Sequence, residues 1–275
     1  MTKRTNALDT RAMSVHHSTS GTGAGAWLHA PTKDITPLTN EQYATAAKMR
    51  LDKPHTAQPT TCHKATATST CNQPDNVHLD HALNCRYGPH RIRRHNNLRD
   101  DLVGLIHQIT GHLPLTEQLI AANPTSNEHP DDDSKHHRSD ITFITANETL
   151  HLDVMVTSAT TAAALAGTTN ATVTPGHASK LAELHKRTKY HPHPVTPIVL
   201  EAHGRFGESL LDFLRLLTAT LPTPAEQSAA YHYCIQRLST TLQRSNAQTI
   251  HAHLAPTTAP APAAAATAAA THMTA

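Results

Sequence analysis

The chain has 275 residues, enough for one large domain or two smaller ones. One Trp, five Tyr and three Phe are its aromatic residues, and 38% of all residues are hydrophobic, so we expect a small core of Leu, Ile and Val. Lys and Arg number 23 against 21 Asp and Glu; this net charge of +2 is too weak to indicate a nucleic-acid-binding protein by itself. The 24 His residues outnumber Lys and Arg together, so most must be ordinary surface residues.

The sequence contains no segment that suggests secretion or membrane insertion. Residues 1–17 lack the apolar stretch of about 7–15 residues that a signal peptide needs, and no run of about 18 apolar residues occurs. We therefore expect an intracellular protein that binds no membrane. Its four cysteines are then better explained as metal ligands or buried thiols than as disulfides. They are Cys62, Cys71, Cys85 and Cys234.

The two ends of the chain differ in composition from its middle. Residues 1–26 are polar and rich in Thr, Ser and Gly, and residues 254–275 are rich in Ala, Pro and Thr, so both segments are predicted to be disordered. Residues 27–90 form a first module. It begins with a predicted helix over 40–50, with Asn40 as its N-cap, and continues as a loop region that carries Cys and His.

A second pattern of apolar residues begins after Arg94. It has the spacing of an amphipathic helix and ends at Gly111. The apolar stripe consists of Leu98, Leu102, Leu105, Ile106 and Ile109. The acidic, His-rich segment 123–138 that follows is predicted to be a loop.

Strands and helices alternate in the rest of the chain. Two strand-like runs, 140–145 and 150–157, flank a short turn and predict a β-hairpin. The further predicted elements are a helix over 178–190, a strand over 197–201, a leucine-rich helix over 208–221, and a last helix that opens with the capping box Thr223–Glu226. This order indicates an α/β or α+β layered domain, with a short mixed sheet flanked by helices.

Cysteine and histidine cluster between residues 62 and 85. The candidate ligands are Cys62, Cys71, His81 and Cys85, with His63 and His78 as spare donors nearby. Their spacing, C-x8-C-x9-H-x3-C, supplies three thiolates and one imidazole, the donor set of a closed structural Zn²⁺ site. Zinc would order a segment with little apolar material of its own. The first gap is wider than the usual C-x2-4-C, so an unligated surface loop is the alternative.

The predicted hairpin carries two acids. Asp140 lies in one strand and Asp153 in the next, with twelve residues between them, so the hairpin should bring both carboxylates to one place across neighbouring antiparallel strands. Converging carboxylates can bind a hard cation such as Mg²⁺, which can activate water against a phosphodiester. Alternation along the second strand places Asp153 and Met155 opposite the aliphatic residues, where a solvated side chain is the alternative.

The helix predicted over 178–190 could supply cations to these acids. Glu183, Lys186 and Tyr190 share one face by the spacing of helical neighbours, with Lys189 adjacent. A lysine there could hold a phosphate or orient the water. Packing is predicted to turn Leu181 and Leu184 inward.

Arginine and histidine are densest between residues 86 and 99. The cluster comprises Arg86, Arg91, Arg93, Arg94 and Arg99, with His90 and His95. We expect it on the surface, at the junction between the first module and the following domain, where it would hold DNA phosphates without reading sequence. A solvated basic face without a ligand is the alternative.

Several short motifs follow one another along the chain. They are the Cys/His segment 62–85, Arg93-Arg94-His95-Asn96, Arg138-Ser139-Asp140-Ile141, Leu152-Asp153-Val154, and Lys186-Arg187-Thr188-Lys189-Tyr190. In this order they resemble the C-terminal region of early-branching non-LTR retrotransposon polyproteins. The segments 20–28 and 201–207 also resemble sequences that flank these motifs in related proteins, so the similarity spans about residues 20–220.

The resemblance implies a CCHC zinc knuckle followed by a restriction-like endonuclease of the PD-(D/E)XK type over residues 91–222. The last helix, predicted from its capping box, then forms a separate C-terminal element over 223–253. It implies nicking of DNA, with Asp140 and Asp153 as the metal ligands. By the same resemblance the candidates for the remaining catalytic positions are Glu117 as a third acid, Lys186 or Lys189 as the lysine, and Tyr190 beside them. Met155 occupies the position where that lysine usually stands.

The chain departs from the family pattern at three places. Ser139 stands where the family usually has Pro, Asn96 stands where some members have Asp, and the first two cysteines are widely spaced. No Tyr/Phe-Ala-Asp-Asp polymerase motif occurs, so the chain is not a complete reverse transcriptase. Two functions follow as expectations: a Mg²⁺-dependent DNA endonuclease acting in the nucleus, or an inactive, zinc-stabilised remnant that binds DNA, with RNA as a further candidate partner.

Overall fold

The computed structural model describes residues 9–29, 34–66, 69–122, 136–145 and 148–255. The first elements are α1 (Thr10–Thr19), a 3-10 turn (Ala26–Leu28), α2 (Asn40–Arg50), β1 (Thr60–Thr61), β2 (Pro74–Asp75), α3 (Asp80–Asn84), α4 (His90–Thr110) and β3 (Leu115–Ala122). The chain continues with β4 (His136–Ile144), β5 (Thr149–Thr157), α5 (Ala162–Leu165), α6 (His177–Tyr190), β6 (Thr196–Glu201), α7 (Glu208–Thr218) and α8 (Pro224–Leu254). None of these helices is long and apolar enough to span a membrane.

A four-stranded mixed sheet lies among the helices, in the order β3-β4-β5-β6. β3, β4 and β5 pair antiparallel, whereas β5 and β6 pair parallel. Helix α6 lies between β5 and β6 in the chain and contacts both strands. The predicted hairpin, the third strand and the α/β class with a small mixed sheet flanked by helices are therefore confirmed.

Strand β3 was not predicted, because its sequence does not alternate cleanly between apolar and polar residues. Its pairing with β4 shifts in register between Leu119 and Ala121, and Glu117 has a φ of 54°. Leu115 and Leu119 are both exposed. The strand forms because its backbone pairs with β4, and such pairing leaves no periodic pattern of apolar residues in the sequence. Residues 136–138, expected in a loop, extend β4, while 123–135 lie outside the described residues.

The main core joins the sheet to α4, α7 and α8. Leu98, Leu102, Leu105 and Ile106 of α4 are at most 1% exposed, as the apolar stripe predicts. Gly111 ends the helix with a φ of 74°, a left-handed conformation that glycine adopts without strain. The last helix, predicted as a separate C-terminal element, belongs to the same core, since its buried Cys234, Leu238 and Leu242 join this cluster.

The prediction that residues 1–26 are disordered is wrong for the part that the structure describes. Asp9 caps α1 through its side chain, and Val15 on that helix is buried. Arg11 pairs with Asp80 at 2.6 Å and also with Asp52, so two ion pairs fix the helix to the first module. These partners lie far along the chain and leave no local signal. Residues 1–8 and 256–275 lie outside the described residues.

Two predicted details of helices are wrong. Thr39 rather than Asn40 caps α2, because Thr39 and Gln42 complete a capping box that fixes the helix start. On α6, Leu181 and Leu184 are exposed rather than inward. The buried face of α6 is built from small residues together with polar groups that find partners there. These buried residues are Ala178, Ser179, Ala182, Glu183 and Tyr190.

Candidate metal centre and carboxylate cleft

Four predicted ligands meet at one point of the first module. Cys62 follows β1, Cys71 precedes β2, His81 lies on α3 and Cys85 caps the end of that helix. One donor atom from each lies within 4.8 Å of all the others. Two of the contacts are Cys62 Sγ to Cys85 Sγ at 3.7 Å and Cys71 Sγ to His81 Nε2 at 3.2 Å. The cluster could hold a metal ion, and its donor set is compatible with structural zinc.

The surroundings of the thiols favour a bound cation. All three cysteines are buried and free of disulfides. Burial, together with the neighbouring thiols, raises the pKa of Cys85 to about 12 and raises the pKa of Cys62 as well. Thiolates in this position therefore need a positive charge among them. The Asp75 carboxylate on β2 accepts hydrogen bonds from the backbone N–H groups of His81 at 2.9 Å and Ala82 at 2.7 Å, which holds α3 against β2.

The two predicted acids line a second site, a cleft of about 410 Å³ that we call the carboxylate cleft. Its functional groups are Asp140, Asp153, Lys186, Lys189, Tyr190, His95, Arg91, Arg94 and Arg138. The β4–β5 register pairs Ile141 with Leu152, so continuing it by one residue places Asp140 opposite Asp153. Asp140 Oδ2 also accepts a hydrogen bond from the backbone N–H of Val154 at 2.6 Å. The structure therefore brings both acids together across the hairpin.

Asp153 is the more deeply placed acid, at 3% exposure. Lys186 Nζ lies 2.8 Å from its Oδ2 in an ion pair, although that oxygen accepts no aligned hydrogen bond within the described residues. Lys189 instead donates to the Tyr190 hydroxyl at 3.4 Å and lies over its ring. Of the two candidate lysines, Lys186 is thus the one in contact with an acid.

His95 is a member of this site rather than of a surface patch. Its Nε2 lies 3.0 Å from Asp140 Oδ2, and its side chain is 30% exposed. The prediction grouped His95 with the surface arginines, whereas the structure places its partly buried side chain against Asp140. Leu98 and Leu102 follow His95 at helical spacing and are buried, so the inner stripe of α4 extends back to it. That helical spacing was the sequence signal that could have placed His95 on the inner face of α4.

The two carboxyl groups differ in their electrostatics. Burial opposes ionisation of Asp140, yet the hydrogen bond and charge of His95 hold the pKa of that carboxyl below its ordinary value. Burial raises the pKa of Asp153, and Asp140 raises it further despite Lys186. The pKa of Tyr190 is also raised, mainly by burial and then by Asp153, and its hydroxyl donates to the Arg138 carbonyl at 2.8 Å. The site therefore holds two unlike acids beside a neutral phenol.

Glu117 and Arg99 pair with each other outside the lining of the carboxylate cleft, although the charge of Glu117 helps to raise the pKa of Tyr190. Glu117, predicted in a loop, is on β3 with its side chain 50% exposed, and it forms an ion pair with Arg99. Arg99 pairs with Asp100 as well, at 2.9 Å. Neither residue is among those that line the cleft. Because these acids neutralise the charge of Arg99, it is a poorer phosphate ligand than its position in the basic cluster of the sequence suggested.

The basic cluster divides between surface and interior. Arg91 and Arg93 are exposed, as predicted. Arg94 is 2% exposed, so the prediction that it lies on the surface is wrong. Its guanidinium donates to Asn246 Oδ1 and to the Leu83 carbonyl, each at 2.8 Å, because α8 and α3 close over this side of α4.

No protein-family model matches the chain, and no curated protein matches its sequence.

Proposed function

We propose that the chain is a metal-dependent DNA endonuclease that nicks one strand and derives from a non-LTR retrotransposon polyprotein. The observation that carries the proposal is the meeting of Asp140, Asp153 and Lys186 in one cleft. The mixed sheet with α4 and α6 against it would then be the layered core of a restriction-like endonuclease. Its substrate would be chromosomal DNA in the nucleus.

The chemistry of the donors fits a divalent cation. Asp140 and Asp153 would hold Mg²⁺, and Asp153 Oδ2 has no aligned hydrogen bond to lose. When bound, the metal supplies a Lewis acid and a more acidic water. Lys186 would stabilise negative charge that develops on the phosphate, a task for which its ammonium is already held beside the acid. Arg91 and Arg138 line the same cleft and would contact the neighbouring phosphates.

An inactive, zinc-stabilised nucleic-acid-binding remnant is the second candidate, and two observations favour it. Each acid already has a cationic or potentially cationic neighbour, His95 for Asp140 and Lys186 for Asp153. In the described part of the chain, the group of three or more close metal donors is the Cys/His cluster rather than this cleft. A remnant would bind DNA or RNA through the same basic residues without cutting it.

A plasmid-nicking assay with Mg²⁺ separates the two functions. Supercoiled plasmid is incubated with the zinc-loaded protein, with Asp153→Asn and Asp153→Ala, and with the control variant Asp212→Asn. Asp212 is an exposed acid on α7 whose partner is Arg215 and which does not line the carboxylate cleft, so its substitution removes the same charge outside the site. We expect the parent and the control to nick, and both Asp153 variants to lose nicking while they keep zinc and DNA binding. Equal nicking by all four proteins would refute the assignment, and no nicking by any would favour the remnant.

A further inference from the structure

A second cleft, distinct from the carboxylate cleft, separates the first turns of α4 from the last turns of α8. We call it the α4–α8 cleft; its volume is about 390 Å³. It is lined by His90, Arg93 and Arg94 from α4 and by Gln248, Thr249 and His251 from α8. No Asp or Glu of the described residues lines it. The groups that face this space are thus cations and neutral hydrogen-bonding groups.

Arg94 carries a buried charge that lacks a counter-charge. Its two bonded partners, Asn246 Oδ1 and the Leu83 carbonyl, are neutral acceptors. Its Nε has no hydrogen-bond partner, and no carboxylate among the described residues pairs with the guanidinium. Burial, and then the like charge of Arg91, lowers the pKa of Arg94 to about 10. A buried ion without an opposite charge is costly, so this environment favours an anion nearby.

Neighbouring groups add to the positive potential. Arg93 is exposed beside Arg94 and forms no ion pair within the described residues. Helix α4 has 21 residues, and no side chain caps its N-terminus at Pro89. The positive end of the helix dipole therefore lies at His90, which lines the cleft.

We propose that the α4–α8 cleft binds one phosphate group of a nucleic-acid backbone. The exposed guanidinium of Arg93 can donate two parallel hydrogen bonds to such a phosphate, and the buried positive charge of Arg94 attracts it. Arg94 lines both clefts, so the proposed phosphate site and the carboxylate cleft are neighbours. The identity of the ligand rests on the proposed binding of DNA, but the site itself does not require that the acids hydrolyse anything.

Arg94 also connects the phosphate site to the metal centre. The carbonyl that accepts from its Nη2 belongs to Leu83, which lies on α3 between His81 and Cys85. A hydrogen bond therefore links the α4–α8 cleft to the helix that carries His81.

The test places a negative charge in the cleft without disturbing the fold. Gln248 is exposed and lines the cleft. The substitution Gln248→Glu keeps the shape of the side chain and adds a negative charge that repels a bound phosphate. Gln108→Glu is the matched control, since Gln108 is an exposed glutamine on α4 that lies about 21 Å along the helix axis from Arg94. Arg93→Gln removes one cation from the cleft. Zinc content and the thermal midpoint report whether each full-length, zinc-loaded variant is folded.

Two probes are titrated at low salt without Mg²⁺, inorganic phosphate by calorimetry and a short DNA duplex by fluorescence anisotropy. We expect Gln248→Glu and Arg93→Gln to weaken both affinities about tenfold, the effect of roughly one charge contact near the surface, while Gln108→Glu leaves them unchanged. Absent phosphate binding, or equal affinities for Gln248→Glu and Gln108→Glu, would overturn the site. Loss of phosphate binding with unchanged DNA affinity would overturn the backbone as its source. Failure of the nicking assay would leave these binding results standing, so the two proposals fail separately.

Discussion

Replacing Lys186 with Met should destabilise the fold more than most single substitutions. Lys186 Nζ lies 2.8 Å from Asp153 Oδ2, and the two side chains are 16% and 5% exposed. The substitution keeps the aliphatic stem but leaves the Asp153 carboxylate buried beside Asp140 without its cation. Breaking a buried pair by removing one partner costs about 3–5 kcal/mol, a large share of the roughly 5–15 kcal/mol that holds a domain folded.

Removing both charges should restore most of that loss. In the double variant Asp153→Leu/Lys186→Met no uncompensated carboxylate remains, and the repulsion between the two acids is gone as well. Replacing both members of a buried pair by apolar residues is often neutral or stabilising. We therefore expect the free energy of unfolding of the double variant to lie within about 1 kcal/mol of the parent. Both variants should fail to nick DNA.

Urea denaturation in zinc-containing buffer, followed by circular dichroism, measures these differences. Lys189→Met is the matched control, because Lys189 contacts the Tyr190 hydroxyl and ring rather than an acid. Its loss should cost less than about 1 kcal/mol. If Lys186→Met were as stable as Lys189→Met, or if the double variant were as unstable as the single one, the buried ion pair would not be the source of the effect.

Three further predictions concern the metal centre, the interior and the basic surface. The purified protein should contain about one zinc per chain by elemental analysis, and Cys71→Ser should lose it and melt at lower temperature. Burial lowers the pKa of His203 to about 4, although the charge of Asp80 opposes the shift. As the pH falls, His203 is therefore protonated in the unfolded chain before it is protonated in the folded protein. The free energy of unfolding should fall by about 3 kcal/mol between pH 6.5 and pH 4. Urea midpoints measured across this range should fall less steeply for His203→Gln, and an unchanged slope would contradict the assignment. Substituting Arg91 and Arg93 with Gln should lower the log–log salt dependence of DNA binding by about 0.9 for each phosphate that the protein no longer neutralises; salt-insensitive binding by the parent would remove the role in phosphate binding.

Periodicity predicted the elements whose hydrophobic faces meet the core. The stripe from Leu98 to Ile109 indicated α4, and the alternation of Leu150, Leu152 and Val154 indicated β5, because each pattern has one dominant buried face. The spacing of the four metal ligands and of the two acids was also readable from sequence. In both cases a short segment of chain separates the groups, so local structure determines their meeting.

The sequence could not predict contacts that depend on distant parts of the chain. Helix α1 is held by Arg11 through Asp52 and Asp80, about 40 and 70 residues away, and its own sequence has no marked apolar face. Strand β3 likewise depends on pairing with β4, and its exposed Leu115 and Leu119 give no sign of a buried face. Tertiary partners override weak local preference in these segments.

On α4 and α6, helical spacing and side-chain polarity give different predictions of which residues are buried. On α4, spacing from Leu98 turns Arg94 and His95 inward although both are polar, and the structure follows the spacing. On α6, polarity would turn Leu181 inward, yet Glu183 and Tyr190 occupy the buried face because backbone N–H and C=O groups satisfy them there. Burying polar groups instead of leucine costs free energy unless each finds a partner. Three of these inward-facing residues, Arg94, His95 and Tyr190, line the carboxylate cleft, so several such conflicts between spacing and polarity meet there.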